Sequence, residues 1–427
     1  MFVTLSLIAI AMLVALWVLA KVLHYPRNIC VLFFTSPLLA CIGPTVTFIG
    51  GLLATKIAPS EKLATLPLTL MIVGTALGTI IVSQLNQRLG RKQATNIGYG
   101  LALIGCLLAM FSAVQGWFYL LLLATLFMGF SIAFSLQLRF AAIESVASTQ
   151  SASAVSVLML SGIFAAILGP EMALFSKDWI ASEHGYAGSF LGLAILISIS
   201  FAGFQLFSNP IVQDSQQQHS MAGRNLSQII KQPSFIIALG SGAIGYGLMS
   251  FVMTATPLSM HDMMGHSLAD TKWVIQSHIA AMFLPSFFTG LLIKKFHTGT
   301  VMATGTIMYA LVIIVALSGQ HVMHYWWALV LLGVGWNFLF TIGTVILPES
   351  YQSHERYKAQ ALNDFVIFFT QALASLLAGW LLFTSSWDYV VLTMLPFVLL
   401  MSLICAWHIK RRMQPLKTER MGDQARD

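Results

Sequence analysis

Charge is what this chain has least of. It holds 22 Lys and Arg and 15 Asp and Glu in 427 residues, so 9% of it is charged against 57% hydrophobic. Its mean hydropathy is +0.82. A water-soluble fold of this length could not cover so much apolar surface, so the composition excludes one and indicates a polytopic helical membrane protein. Short segments of alternating hydrophobicity are missing as well, which excludes an outer-membrane barrel. Cysteine is scarce: Cys30, Cys41, Cys106 and Cys405 all lie inside apolar runs. Cys30 and Cys41 would stand about 16 Å apart on one helix at ~1.5 Å per residue, too far for a bridge. Neither a disulfide nor a metal cluster is expected. His321 with His324, and His261 with His266, lack the acid or third ligand of a zinc enzyme. No nucleotide-binding loop is present to use ATP, and no cofactor is expected.

What is present is a series of apolar runs. The first covers 2–20. It has no cation before it and Lys21 after it, unlike a secretory signal, so it is expected to be an uncleaved extra helix with its N-terminus outside. The competing reading is a protein that starts near His24. Twelve further runs cover 29–54, 63–86, 93–113, 117–140, 150–175, 187–207, 234–258, 271–293, 300–318, 324–347, 357–383 and 387–409. Each has the length of about 20 residues that a span needs. The longest polar interval, 208–232, is rich in Gln and Ser with Pro210 and Pro233 at its ends. It reads as a linker between six runs and six. The expected organisation is therefore an extra helix and basic junction (1–28), a first bundle (29–207), a linker (208–233), a second bundle (234–409) and a basic tail (410–427).

Between runs two and three lies Ser83-Gln84-Leu85-Asn86-Gln87-Arg88-Leu89-Gly90-Arg91-Lys92. Each of its cations would cost about 2.5–3.5 kcal/mol at a helix centre in hydrocarbon. The stretch is thus a tight turn at a membrane face, and cationic turns stay cytoplasmic. Alternating from there places seventeen of the 22 Lys and Arg inside. Lys56, Lys62, Lys177 and Lys272 fall outside, and Arg139 is left within run four. This bias puts the C-terminus in the cytoplasm and accounts for the net charge of +7 without any nucleic-acid partner. The halves also repeat: Glu144-Ser145 after run four matches Glu349-Ser350 after run ten at an offset of 205. Lys294-Lys295 falls where that offset puts the first basic turn.

The turn resembles the loop 2–3 signature of the major facilitator superfamily, G-x-L-x-D-R-x-G-R-[KR]. Leu85, Arg88, Gly90, Arg91 and Lys92 match, while Ser83 stands for the usual Gly and Gln87 for the usual Asp. The loop Glu355-Arg356-Tyr357-Lys358-Ala359 looks like the family's E-R-x-K-A loop. Gly335-Trp336-Asn337-Phe338, with Leu362-Asn363-Asp364-Phe365, looks like a bacterial subgroup whose substrates are mostly unsettled. The resemblance implies an all-α polytopic fold of two six-helix bundles (6+6), here with an extra N-terminal helix, related by an axis along the membrane normal. It implies a transporter and not an enzyme: a secondary active carrier of the bacterial inner membrane working by alternating access. The small-molecule substrate would be an organic solute, an anionic one among the options, such as a carboxylate, siderophore or vitamin-like compound, moved with protons. A broad drug exporter is the alternative, and a sensor or scaffold on the same fold a third.

Intramembrane polar groups must find partners or line water, which makes the few present informative. Arg139, with Gln137 two residues before it, is either a fork of donors for an anionic or carbonyl-bearing solute or a cation that snorkels or pairs with Glu144. Tyr246, Asn337 and Asn363 are further substrate-binding candidates; Asn337 and Asn363 could equally bond neighbouring helices. Asp364, Glu171 and His278 are the candidates for proton coupling. Glu171, after Gly169-Pro170, could instead sit at the interface beside Lys177, and His278 could be a packing residue. By the resemblance, Glu144 and its counterpart Glu349 would latch the inner gate, Glu144 pairing with Arg88 or Arg91. The expected site is built from runs 1, 4, 7, 8, 10 and 11.

Overall fold

The computed structural model describes residues 2–146, 151–209, 224–352 and 355–424. Most of the linker, 210–223, thus lies outside the described residues. Among those described there are helices and turns but no strand. Helix α1 (Phe2–Trp17) ends in a π turn, Val18–Val22. Next come α2 (Arg27–Ile57), α3 (Glu61–Asn86), α4 (Arg88–Gln115), α5 (Phe118–Glu144), α6 (Ser151–Ser176) and α7 (Ala187–Phe204). The second half holds α8 (Pro233–Met263), α9 (Leu268–Phe283, resuming over 286–296), α10 (298–317), α11 (Val322–Ser350), α12 (Arg356–Thr384) and α13 (Trp387–Arg412). Helix α13 runs on through the basic tail to Gln424. Eleven helical stretches among the described residues are long and apolar enough to cross a membrane. Each of the twelve runs coincides with one of α2–α13.

The chain breaks its helices where the sequence placed turns. At the α3–α4 junction Gly90 takes φ +77°, and at the matching α9–α10 junction His297 takes φ +64°. Glycine adopts this left-handed backbone freely; histidine does so under strain. Helix α2 is bent by Pro37 and Pro44, followed by a π turn at Val46–Gly50.

Each half is tied together by buried polar bonds that hydrocarbon makes obligatory. In the first, Tyr99 of α4 and Ser200 of α7 share a hydroxyl bond of 2.7 Å, and Ser200 donates to the Thr35 carbonyl of α2 at 2.8 Å. In the second, Ser241 of α8 donates to the Leu339 carbonyl at 2.7 Å, and Tyr309 of α10 to the Gly245 carbonyl at 2.6 Å. Helices α3 and α5 touch backbone to backbone. A Cβ on Gly74 would run into the Leu126 carbonyl, and one on Gly129 into that of Met71. Small residues permit such approach where lipid offers no hydrophobic drive between helices.

The hydrogen bonds that join the halves gather at one end. Thr69 donates to Ser375 (3.3 Å), Thr65 to the Leu376 carbonyl (3.4 Å) and Thr55 to Asp262 (3.1 Å). Gln276 donates to the Ile167 carbonyl (2.7 Å), and Lys272 to Glu171 (2.5 Å). At the opposite end three of the contacts run within a half or to the linker. Arg91 holds Glu144, Lys92 donates to the Gln205 carbonyl (2.6 Å), and Arg224 of the linker holds Glu355 (2.6 Å). The halves are clamped at the end opposite the basic turns.

Candidate functional site

A cavity of about 250 Å³ lies between the halves. Helical spacing builds it. On α2, Ala40, Gly43, Pro44 and Thr47 fall at steps of three and four, so one face looks inward. The same stepping brings in Leu68, Ile72 and Thr75 of α3, and Tyr246, Met249, Ser250 and Met253 of α8. Ile279, Met282 and Phe283 come from α9, Phe368 and Gln371 from α12. Ile132 and Leu136 of α5 and Gly162 and Ala165 of α6 complete it. Both halves contribute, and no lining residue carries a charge.

The space exists because side chains are missing. A Cβ built on Gly43 meets nothing within 4 Å, and one on Gly162 meets only the Phe283 ring edge at 4.0 Å. An aromatic cluster stands at the cavity around Tyr246. The Tyr246 ring meets Trp336 edge-on (centroids 5.1 Å, 86°), Phe340 (5.4 Å, 81°) and Phe368 (6.1 Å, 62°). Trp336 stacks on Phe340 at 5.1 Å and 7°. Each edge-to-face or stacked pair contributes about 0.5–1.5 kcal/mol beyond burial, so the wall is stiff. Two polar groups at the cavity have no hydrogen-bond partner among the described residues. The Ser250 hydroxyl is fully buried and unbonded, and the half-buried Gln371 amide makes no bond either. Thr75, by contrast, already donates to the Met71 and Gly129 carbonyls.

The residues singled out from the sequence fall in several places. Tyr246 lines the cavity. Asn337, 2% exposed, lies behind it on α11. It donates to the Met282 carbonyl (2.8 Å) and Ser286 (2.6 Å) and accepts from Thr289 (2.9 Å). Every amide position is thereby spent on binding α11 to α9. His278 is fully buried between the same helices, its Nδ1 2.7 Å from the Leu329 carbonyl and its Nε2 unpartnered among the described residues. Gln137 is half-buried and absent from the lining, and Arg139 is exposed. Arg139 acts electrostatically on Asp364 across the halves. Asp364 is exposed and accepts from the Asn363 amide at 3.2 Å.

Glu144 accepts from Arg91 Nε at 2.5 Å and from Nη2, which leaves it engaged away from Arg139; Arg88 is exposed. Glu349 is held by Arg412 of α13 rather than by a turn residue. Glu171 pairs with Lys272 of α9, not with the nearer-in-sequence Lys177. The lining comes from runs 1, 2, 4, 5, 7, 8 and 11. Runs two and five were not expected, and run ten stands behind the wall. Phe283, Phe368, Ser250 and Gln371 escaped the sequence reading. The signal for them was one inward face per helix crossing small residues, not charge.

Two membrane-embedded halves, clamped at one end around a cavity both line, define a polytopic helical transporter fold. The sequence pattern of the Major Facilitator Superfamily matches residues 29–271 and 238–426, and the chain belongs to that superfamily. It is 37% identical over 377 residues to the riboflavin transporter RfnT of Brucella anthropi, covering 88% of this chain and 94% of the relative. It is 28% identical over 386 residues to the uncharacterized MFS-type transporter YddS of Bacillus subtilis, covering 87% and 88%. Among solved structures, the nucleoside transporter NupG matches with TM-score 0.66 at 13% identity over 90% of this chain and all of that one. A bacterial homologue of the iron transporter ferroportin in its outward-facing state matches with TM-score 0.61 at 16% identity, covering 89% and 99%. The structural likenesses show the fold alone.

Proposed function

We propose that the protein is a secondary active transporter that moves a vitamin-like organic solute, riboflavin or a molecule of similar chemistry, across the bacterial inner membrane. The observation that carries this reading is the cavity itself: both halves line it, and among the described residues the hydrogen bonds between the halves lie at one end, made by groups that can part. Rocking the halves would present it to each side in turn. The relative named as a riboflavin transporter aligns along most of the chain and supports the solute class. An uncharged lining argues against the carboxylate and siderophore options. The excess of Lys and Arg at the basic turns and tail supports a cytoplasmic position for that end and the C-terminus. The bonded end is then the outer one, and the conformation faces inward.

Energy comes from protons, with Asp364, Glu171 and His278 as the groups able to exchange them. Arg91 and Glu144 form a latch within the first half at the inner end, with Arg412 and Glu349 in the matching place. Vesicles containing the purified protein are expected to accumulate riboflavin faster with an imposed pH gradient than without. Equal rates with and without the gradient remove proton coupling, and no protein-dependent movement removes the solute. The apolar wall also suits a broad drug exporter, which the same vesicles test with hydrophobic cations.

A further inference from the structure

The inward-facing wall of the cavity has a chemistry that narrows its ligand. Three ring faces or edges border the space, those of Tyr246, Phe283 and Phe368, and three methionines, Met249, Met253 and Met282, fill between them. Aromatic rings and thioethers both favour a flat π-system, the rings by offset or edge contact and the sulfurs by contact at a ring edge. Bare backbone at Gly43, where an added Cβ meets nothing within 4 Å, and at Gly162, where it meets only the Phe283 ring edge at 4.0 Å, completes the border of this slot. Its volume, about 250 Å³, falls just under the roughly 300–1,000 Å³ of ordinary small-molecule sites. Within it the Ser250 hydroxyl is buried without a protein partner among the described residues, and the half-buried Gln371 amide borders the same space. A buried polar group without a partner is costly unless a ligand or water supplies one. No cation lines the slot, so nothing there would neutralise a phosphate or carboxylate.

We infer that this slot is the seat of a planar, uncharged heteroaromatic ring, gripped by Tyr246, Phe283 and Phe368 and hydrogen-bonded at its edge by Ser250 and Gln371. Resting on the proposed transport of a riboflavin-like solute, this assigns recognition to the ring system and leaves any sugar-like chain to the open, inner side. The ring's carbonyls accept from the Ser250 hydroxyl and the Gln371 amide, and its N–H donates to the Gln371 carbonyl oxygen. A ring bearing a phosphate tail is rejected, because the charge would have to enter an uncharged wall.

The test uses the full chain, purified in detergent, with flavin fluorescence as the readout. Quenching on binding reports a ring stacked against protein aromatics. The probes are riboflavin, lumichrome (the ring without the chain), ribitol (the chain without the ring) and riboflavin 5′-phosphate. Lumichrome is expected to displace riboflavin within about tenfold of riboflavin's own affinity; ribitol and the phosphate ester are expected not to compete. Tyr246→Leu is expected to weaken riboflavin about two- to tenfold, the factor that one aromatic pair contributes, and Tyr246→Phe to keep it. Gly162→Leu, which builds a side chain into the slot beside the Phe283 ring edge, is expected to abolish binding while the protein elutes as an unchanged single species. Riboflavin binding without competition by lumichrome, or with full retention in both Tyr246→Leu and Gly162→Leu, overturns the slot and leaves the transport reading standing. Lumichrome binding without riboflavin binding supports the slot and sinks riboflavin as the solute. Failure of both probes to bind overturns both.

Discussion

The ion pair Glu171–Lys272 bridges the two halves with a glutamate only 3% exposed. Neither charge is comfortable alone at that depth, and breaking a buried pair by removing one partner costs about 3–5 kcal/mol. The pair therefore favours the conformation in which the ends opposite the basic turns meet. Lys272→Ala is expected to shift the protein away from it. A disulfide between Thr69→Cys and Ser375→Cys, whose hydroxyls sit 3.3 Å apart, measures this: its yield should fall in the Lys272→Ala background. An unchanged yield would mean that the pair does not hold these ends together. Asn337 makes a contrasting case. It is polar and central, yet its three bonds weld α9 to α11. Asn337→Leu strands their partners and should cost about 1–3 kcal/mol of stability, read as a lower thermal midpoint with or without ligand. The sequence shows that such residues are polar and deep, but not whether their partners are helices or solute. Spacing alone could not tell Asn337 from Ser250, because the difference lies in what the neighbouring helix presents.

Among the elements, the two helix junctions at Gly90 and His297 are a matched pair with unequal strain. Both take positive φ, and the left-handed region costs a residue with a Cβ about 1–2 kcal/mol. A Cβ at position 90 would also come to 3.0 Å from the Asn209 amide nitrogen. Gly90→Ala is expected to destabilise the first half by about 1–2 kcal/mol, whereas His297→Gly should leave the second half as stable or more so. Thermal unfolding of the two variants side by side checks the asymmetry. The turn at 83–92 was legible because three cations leave no other place for it, and Gly90 marked the break. The matching break at His297 was legible only through the repeat, since nothing about a histidine between apolar runs demands positive φ. The inward faces were harder to see. In a helix apolar on all sides, the 3.6-residue period of polarity that identifies a buried face in a soluble protein is missing.

At the scale of the whole molecule, Arg224, at the described end of the linker, is fastened to the second half. Arg224 donates through Nε and Nη2 to Glu355 and from its backbone N–H at 2.7 Å, with a further bond to the Ser350 carbonyl at 3.2 Å. The Arg224 guanidinium, helped by the Gln352 and Arg224 backbone N–H groups, holds the Glu355 carboxyl at about 2. A carboxyl depressed in the folded state adds stability above its ordinary value of 4.5, and loses it as pH falls from there toward 2. Limited proteolysis within 210–223 is therefore expected to speed up below pH 4.5, and Glu355→Gln to bring the same fast cleavage at pH 7. Equal cleavage rates of both proteins at pH 7 would count against the clasp. The two-bundle plan was readable from run number, charge bias and the 205-residue offset. The end at which the bundles meet was not, because polar residues near both ends of the runs offered partners at either end.

Helix α1 packs against α2 and α6, and Ile8 and Met12 are buried while Leu7, Ile10, Leu13 and Trp17 face outward. It is thus luggage strapped to a single bundle. The bundle carrying it presents a broader flank to the surrounding lipid and tilts against more drag. In a fixed bilayer the unladen bundle should therefore swing through the larger arc, so a carrier built from near-twin parts would move lopsidedly.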